Sequence, residues 1–265
     1  MKKKFKKKKS IFKNEFFWSV ILSFLIIVGF FYFFIFSEFF QVERIIIKNG
    51  KKILSFRTQI QELIEEKIKR NLFFFETKTI FLINFDEINK ILLKRFPLIE
   101  KIEFRKEFPN VIKTKITERE PVAFFVTSFE EEKENYFFID KKGVIFERIK
   151  EKDIKKEIIE IKNQILNLET KLGTKVITEK NIEKILEIKD RAKNKLNLIL
   201  EKVVLVSEKR LNFKTSEGWE IYFDIEKNSE LALAKLDLLL EKGLTEKERK
   251  NLQYIDLRFT KVYYK

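Results

Sequence analysis

A chain of 265 residues with no cysteine and no histidine lacks the thiolates and imidazoles of most transition-metal sites, and every Cys nucleophile or His-based triad with them. Its net charge of +15 points at first to nucleic acid or an anionic membrane surface, but eight lysines against Glu15 in the first seventeen residues hold nearly half of that excess. The rest is a dispersed Lys/Glu mixture of the kind that solvates a surface, so no nucleic-acid partner is expected. The length accommodates two modules with cores of their own beside a membrane segment, and the missing cysteines leave the redox compartment open.

The basic tail, residues 1–15, runs into FFWSVILSFLIIVGFFYFFIF, Phe16 to Phe36, which carries no charge. At about 1.5 Å per residue this stretch covers the roughly 30 Å of bilayer hydrocarbon and predicts a transmembrane helix. A cleaved signal peptide would have a shorter apolar region and a small-x-small site, which the following SEFFQVE does not offer. Trp18 and Tyr32 lie toward the two ends, where amphipathic rings favour the interface. Lysine-rich flanks stay in the cytoplasm, so the expected topology is a single pass of the cytoplasmic (inner) membrane with everything from about Ser37 outside. The lipid bilayer is thus the first expected partner, and the lysines also suit anionic headgroups.

Past the helix, FQVERIIIKNGKK reads as a strand stopped at Asn49-Gly50. Phe56, Ile60, Leu63, Ile64 and Ile68 recur at three and four residues across Ser55 to Arg70 and predict an amphipathic helix. Asn84, three residues before Glu87, starts a second helix whose apolar face is Ile88, Ile91 and Leu92 and which ends before Pro97. Ile99 to Phe104 and Val111 to Thr117 are β-rich and joined through Phe108-Pro109-Asn110, and Pro121 in REPVA closes the module. The order is strand, helix, helix, strand, strand.

VERIIIKNG at Val42 to Gly50, NLF at Asn71 to Phe73 and RFPLIEKIEFRKEFPNVIKTKITEREPVAFF at Arg95 to Phe125 together resemble the polypeptide-transport-associated (POTRA) domain of the FtsQ/DivIB family of bacterial cell-division proteins. The stretch FFFETKTIFLI departs from that pattern by being longer and more apolar. It reads as a packed loop or an extra strand, or as a contact surface near the membrane, since apolar area left in water is a liability.

The second module begins with YFFIDKKGVIFE, Tyr136 to Glu147, a β-hairpin about a D-K-K-G turn that is similar to the hairpin following the POTRA domain in that family. Ile154, Ile158, Ile161, Ile165, Leu168 and Leu172 repeat at four and three residues, which alone suits a helix, whereas the resemblance places a strand at IIEIKN; both readings of 154–172 stand. Thr178 caps a helix with Ile182, Ile185, Leu186 and Ile188 on one face, and LILEKVVLV is strand-like. Leu211, Phe213, Trp219, Ile221 and Phe223 form one apolar set across a hairpin at SEG. Ser229 starts and Gly243 ends a leucine-rich helix, and YIDLRFTKVYYK is a last strand. GWEIYF, LALAKLDLLLEKG and YIDLR resemble the family's carboxyl-terminal pattern, although Asp224 stands where it often has glycine.

The expected fold is therefore α+β: residues 1–15 a cytoplasmic tail, 16–36 the membrane helix, 39–125 the POTRA domain and 126–265 a mixed β domain with helices. Acidic pairs such as Glu65-Glu66 and the run Glu130 to Glu132 lie in Lys/Glu-rich surface stretches with no nucleophile elbow, phosphate loop or metal spacing beside them. No catalytic residue, metal, cofactor or small-molecule substrate is expected. The resemblance implies a non-enzymatic divisome protein that scaffolds septum assembly by binding FtsB/DivIC-like and FtsL-like bitopic proteins; the alternative is a POTRA-type chaperone for polypeptide translocation or envelope assembly. A terminal strand offers a sheet edge, and Tyr254, Arg258, Phe259, Val262, Tyr263 and Tyr264 supply hot-spot residue types there. Glu118, Arg119 and Pro121 are secondary contact candidates at the module junction.

Overall fold

The computed structural model describes residues 15–265 apart from 49, 73, 128–134, 152–153, 155–157, 165–170 and 208. The basic tail before Glu15, the acidic run Glu130 to Glu132, and Ile165 and Leu168 of the apolar repeat lie outside the described residues. The chain is mixed α+β and divides into two compact units, one ending at Glu118 and the other running from Arg119 to Lys265 with Phe96–Leu98 added. The division falls upstream of Phe125, because the strand that follows Pro121 belongs to the second unit's sheet.

Helix α1, Glu15–Phe36, has a mean hydropathy of 2.6 and no buried residue. Among the described residues it is the one helix long and apolar enough to cross a membrane. A helix leaves its last carbonyls without intrahelical donors, and here a later stretch of chain supplies them. Thr77 Oγ1 donates to Ile35 O at 2.7 Å and Thr79 Oγ1 to Phe34 O at 2.9 Å, while Gln41 Nε2 also reaches Ile35 O at 2.8 Å. Thr77 and Thr79 are both buried. This hydroxyl clamp ties the end of α1 to the rest of the first unit.

That unit continues with β1 (Arg44–Lys48), α2 (Arg57–Ile68), the short hairpin β2 (Arg70–Leu72) and β3 (Phe75–Thr77), α3 (Phe85–Arg95), β4 (Ile99–Glu107) and β5 (Val111–Glu118). The sheet order is β1-β5-β4, with β1 parallel and β4 antiparallel to β5. Ile60, Leu63, Ile64 and Ile68 of α2 and Ile88 and Leu92 of α3 are buried, as their spacing predicts. Phe56 instead precedes α2 and stays at the surface. Asn84 Oδ1 accepts the Glu87 N–H at 3.3 Å and starts α3 as expected. Pro97 stands just before β4 and Pro109 in the β4–β5 turn, boundary positions where a missing N–H costs no ladder bond. The FFFETKTIFLI stretch supplies an extra hairpin and a 3-10 turn at Ile80–Leu82.

The second unit contains β6 (Ala123–Thr127), β7 (Asn135–Ile139), β8 (Ile145–Ile149), β9 (Ile159–Asn163), α4 (Glu179–Leu196), β10 (Leu200–Leu205), β11 (Arg210–Thr215), β12 (Glu220–Asp224), α5 (Ser229–Leu238), α6 (Glu246–Lys250), β13 (Tyr254–Asp256) and β14 (Tyr263–Tyr264). Among the described residues they form a nine-stranded sheet in the order β14-β13-β12-β11-β10-β9-β6-β7-β8. IIEIKN is thus a strand, with β9 lying parallel between β6 and β10. A helix would pair its backbone internally as well; what the strand adds is the ladder that joins β6 to β10 and the burial of Ile159 and Ile161. Leu211, Phe213, Trp219, Ile221 and Phe223 are all buried, with Phe213 opposite Ile221 and Leu211 opposite Phe223, so the alternation places one face of this hairpin in the core. Ile182, Ile185, Ile188 and Ala192 of α4 and Ala232, Leu233 and Leu236 of α5 join the same core.

Caps explain the helix ends. Thr178 accepts from the Asn181 N–H, and Asn197 closes α4 in the left-handed region at φ 49°. Asn228, rather than Ser229, caps α5, and the last turn to Gly243 is π-helical. Thr245 and Glu248 form a reciprocal capping box that begins α6.

Candidate functional site

The segment YIDLRFTKVYYK is two short strands, not the single strand its composition suggests. β13 lies parallel to β12, and β14 folds back antiparallel onto β13, pairing Ile255 with Tyr264 and Asp256 with Tyr263. The reason is the fate of the intervening carbonyls. Lys227 Nζ donates to Arg258 O, and Lys235 Nζ donates to Thr260 O at 2.9 Å and to Phe259 O at 3.4 Å, so those groups bond to lysines instead of continuing a ladder. β14 is therefore the terminal strand of the sheet.

Asp256 organises the bend. Its buried carboxylate accepts the Arg258 backbone N–H at 3.0 Å and both arms of the guanidinium, Nε at 2.9 Å and Nη2 at 2.6 Å. Burial by itself would push the Asp256 carboxyl up, but the hydrogen bonds and charge of Arg258, with Arg210 adding its charge, hold it below the ordinary 3.8. The hydrogen bond to Asp256 correspondingly raises the pKa of Arg258. A depressed carboxyl stabilises the bend above its unfolded value and loses that contribution as pH falls through the folded one. The bend is accordingly expected to be intact at neutral pH and to loosen only below the ordinary aspartate value. Asp256→Asn reproduces the loss at neutral pH, at a cost of about 1.5–3 kcal/mol for bonds to a charged group, and amide hydrogen exchange at Leu257 and Tyr264 reads it directly.

Around this bend the side chains form one aromatic and cationic surface. The Arg258 guanidinium lies 5.4 Å from the ring centre of Phe259 and 5.7 Å from that of Tyr222, while Arg210 covers Tyr222 at 4.4 Å. Tyr222 stacks on Tyr254 at 5.1 Å, and Phe259 meets Tyr263 edge to face at 5.8 Å. Phe259, Tyr263 and Tyr264 are each about half exposed, at 51%, 54% and 47%, whereas Val262 packs against the core. Tyr222, Arg210, Lys227 and Lys235 belong to this surface although sequence analysis does not single them out. Tyr222 had a signal: it sits between Ile221 and Phe223, so alternation turns it to the opposite face of the sheet.

The secondary candidates separate. Glu118 belongs to the first unit, where its Oε1 accepts the Ile53 N–H at 2.8 Å. A Cβ at Gly50 would stand 2.4 Å from the Glu118 Cδ, so a side chain there would make the Glu118 carboxylate swing aside. Arg119 turns inward in the second unit, paired with the buried Asp140 and donating from Nε to Pro97 O at 2.9 Å. Asp140 Oδ1 accepts the N–H groups of Lys142 and Val144 at 3.0 and 2.9 Å and so shapes the β7–β8 turn. Pro121 is half-buried just before β6.

Among the described residues the chain thus has one long apolar helix and two α+β units, the second ending in a sheet edge that bears aromatic and cationic side chains. Residues 130–258 match the family model described as cell division protein FtsQ/DivIB, C-terminal. Over these residues the chain is similar to the carboxyl-terminal domain of that cell-division family, and the match covers most of the second unit up to Arg258. None of the curated proteins matches the chain.

Proposed function

We propose that the protein is a non-enzymatic, bitopic division protein whose amino terminus is cytoplasmic and whose two outer units hold the septal assembly together by binding FtsB/DivIC-like and FtsL-like proteins. The observation that carries this reading is the family match over 130–258, which ends at the bend where Arg258, Phe259, Tyr254 and Tyr263 come together. The first unit, with its β1-β5-β4 sheet and two helices, is read as the POTRA domain. Tethering by α1 confines the units to the membrane surface, where partners tethered in the same way meet them at high effective concentration and modest interfaces suffice.

Capture of a partner strand by β14 fits its position. A terminal strand presents unpaired backbone groups, and the flanking aromatics add the anchor area typical of hot spots. Depletion of the protein from its host is expected to give long, unseptated cells that divide again on repletion, measured as cell length by microscopy. Normal septa accompanied by faulty insertion of envelope proteins would favour the translocation-chaperone alternative instead.

A further inference from the structure

The first unit carries a second apolar surface that neither its core nor the proposed partner site uses. Phe74, at the tip of the β2–β3 hairpin, is 96% exposed, and Phe39, Phe75 and Phe108 are all more than half exposed. These rings are not scattered. Phe75 meets Phe36 of α1 at 5.7 Å, Phe39 meets Phe40 at 5.0 Å, and Phe40 stacks on Phe34 of α1 at 5.0 Å. Phe81 links Phe34 at 5.5 Å to Phe108 at 5.5 Å. These contacts gather two groups of aromatic rings against the outer end of α1 as a collar, with Phe74 next to Phe75 at the hairpin tip. Below it, a groove of about 580 Å³ between α1 and Phe81 and Leu82 is lined wholly by apolar side chains.

The clamp fixes the depth of this collar. Because Thr77 and Thr79 bond the carbonyls of Ile35 and Phe34, the hairpin and the 3-10 turn beside them sit level with the last turn of the helix. If α1 spans the bilayer, that level is the outer membrane–water interface, where aromatic rings partition favourably. Lys78, between the two threonines, is exposed at the same level, where an ammonium meets lipid phosphate.

We propose that Phe39, Phe74, Phe75, Phe81, Leu82 and Phe108 embed in the outer leaflet, so that the first unit rests in the interface as a collar and does not hang from α1 on a free linker. The occupant of the groove is lipid acyl chain, continuous with the lipid around α1. This inference rests on the reading of α1 as a membrane span, and the test separates the two.

The chain has no cysteine, so Phe74→Cys and, separately, Phe39→Cys each give a unique attachment point for an environment-sensitive nitrobenzoxadiazole dye. The full-length protein is reconstituted in phosphatidylcholine/phosphatidylglycerol vesicles with and without lipid bearing a shallow doxyl quencher. Flotation with the vesicles after alkaline carbonate extraction reports the span itself. The expected result is flotation together with blue-shifted emission at both sites, loss of intensity with doxyl lipid, and protection from aqueous iodide. Flotation with iodide-accessible dye at both sites overturns the collar and leaves the span intact. Protection from iodide without doxyl quenching means that a second copy covers the rings, which also overturns it. Failure to float refutes the span and the collar together.

Discussion

Arg119→Ala is expected to destabilise the second unit by about 3–5 kcal/mol, because it leaves a carboxylate in the interior without its cation. Asp140 is 2% exposed, and beyond Arg119 its partners are backbone N–H groups of its own turn. The substitution also removes the donor to Pro97 O. Equilibrium denaturation followed by the fluorescence of the buried Trp219, in a background where Trp18 is replaced by Phe, measures the loss as a fall in midpoint. Adding Asp140→Asn should recover part of it, since the uncompensated charge is then gone; the double-mutant cycle isolates the pair. An unchanged midpoint for Arg119→Ala would show that water reaches Asp140 and would return Arg119 to the list of contact residues.

Deletion of Phe259 to Lys265 is expected to abolish capture of an FtsB/DivIC-like partner. It removes β14 and the exposed rings of Phe259, Tyr263 and Tyr264 and uncovers β13. Single hot-spot residues cost upward of about 2 kcal/mol each, so losing three with the strand itself takes a micromolar interaction out of range. Val262→Pro is the gentler version: β14 stays in the chain, but the substitution fixes φ and removes an N–H at the entry to the strand and takes away a side chain packed against the core. Pull-down by the tethered partner, with circular dichroism and limited proteolysis as controls on folding, gives the readout. A truncated protein that stays folded and binds undiminished would mean that the interface lies elsewhere, with Glu120 and Pro121 the nearest surface left to examine, since Glu118 and Arg119 are engaged internally.

The parts of this architecture legible from sequence are those whose causes are local. Four spaced isoleucines and leucines make the buried face of α2, and alternation about SEG makes the buried face of the β11–β12 hairpin. Cap residues mark the starts of α3 and α4. The T-E-K-E of Thr245 to Glu248 spells the capping box of α6 just as locally, although the leucine-rich helix before it draws attention away. Where tertiary partners decide, local reading fails. The bend within YIDLRFTKVYYK depends on Lys227 and Lys235 reaching carbonyls 31 and 25 residues away, and nothing in the local composition shows this. The repeat from Ile154 onward has helical spacing, yet its Ile161 is buried in β9 together with Ile159, which stands outside the repeat, because β6 and β10 pair on either side. The candidate surface was half legible: its aromatic members are visible in the terminal sequence, but Tyr222 and Arg210 come from the opposite face of a hairpin read for its core.

The threonine clamp on the end of α1 has a mechanical meaning as well. A helix fastened at its exit by hydroxyls on two carbonyls cannot spin freely beneath the unit that it carries, so α1 and the first unit turn as a shaft and its hub. Each residue of an α-helix advances about 100° around the axis. If α1 spans the bilayer, the face that it offers to neighbouring helices sets the compass bearing of the β2–β3 hairpin, and a partner that grips the helix would also steer the first unit.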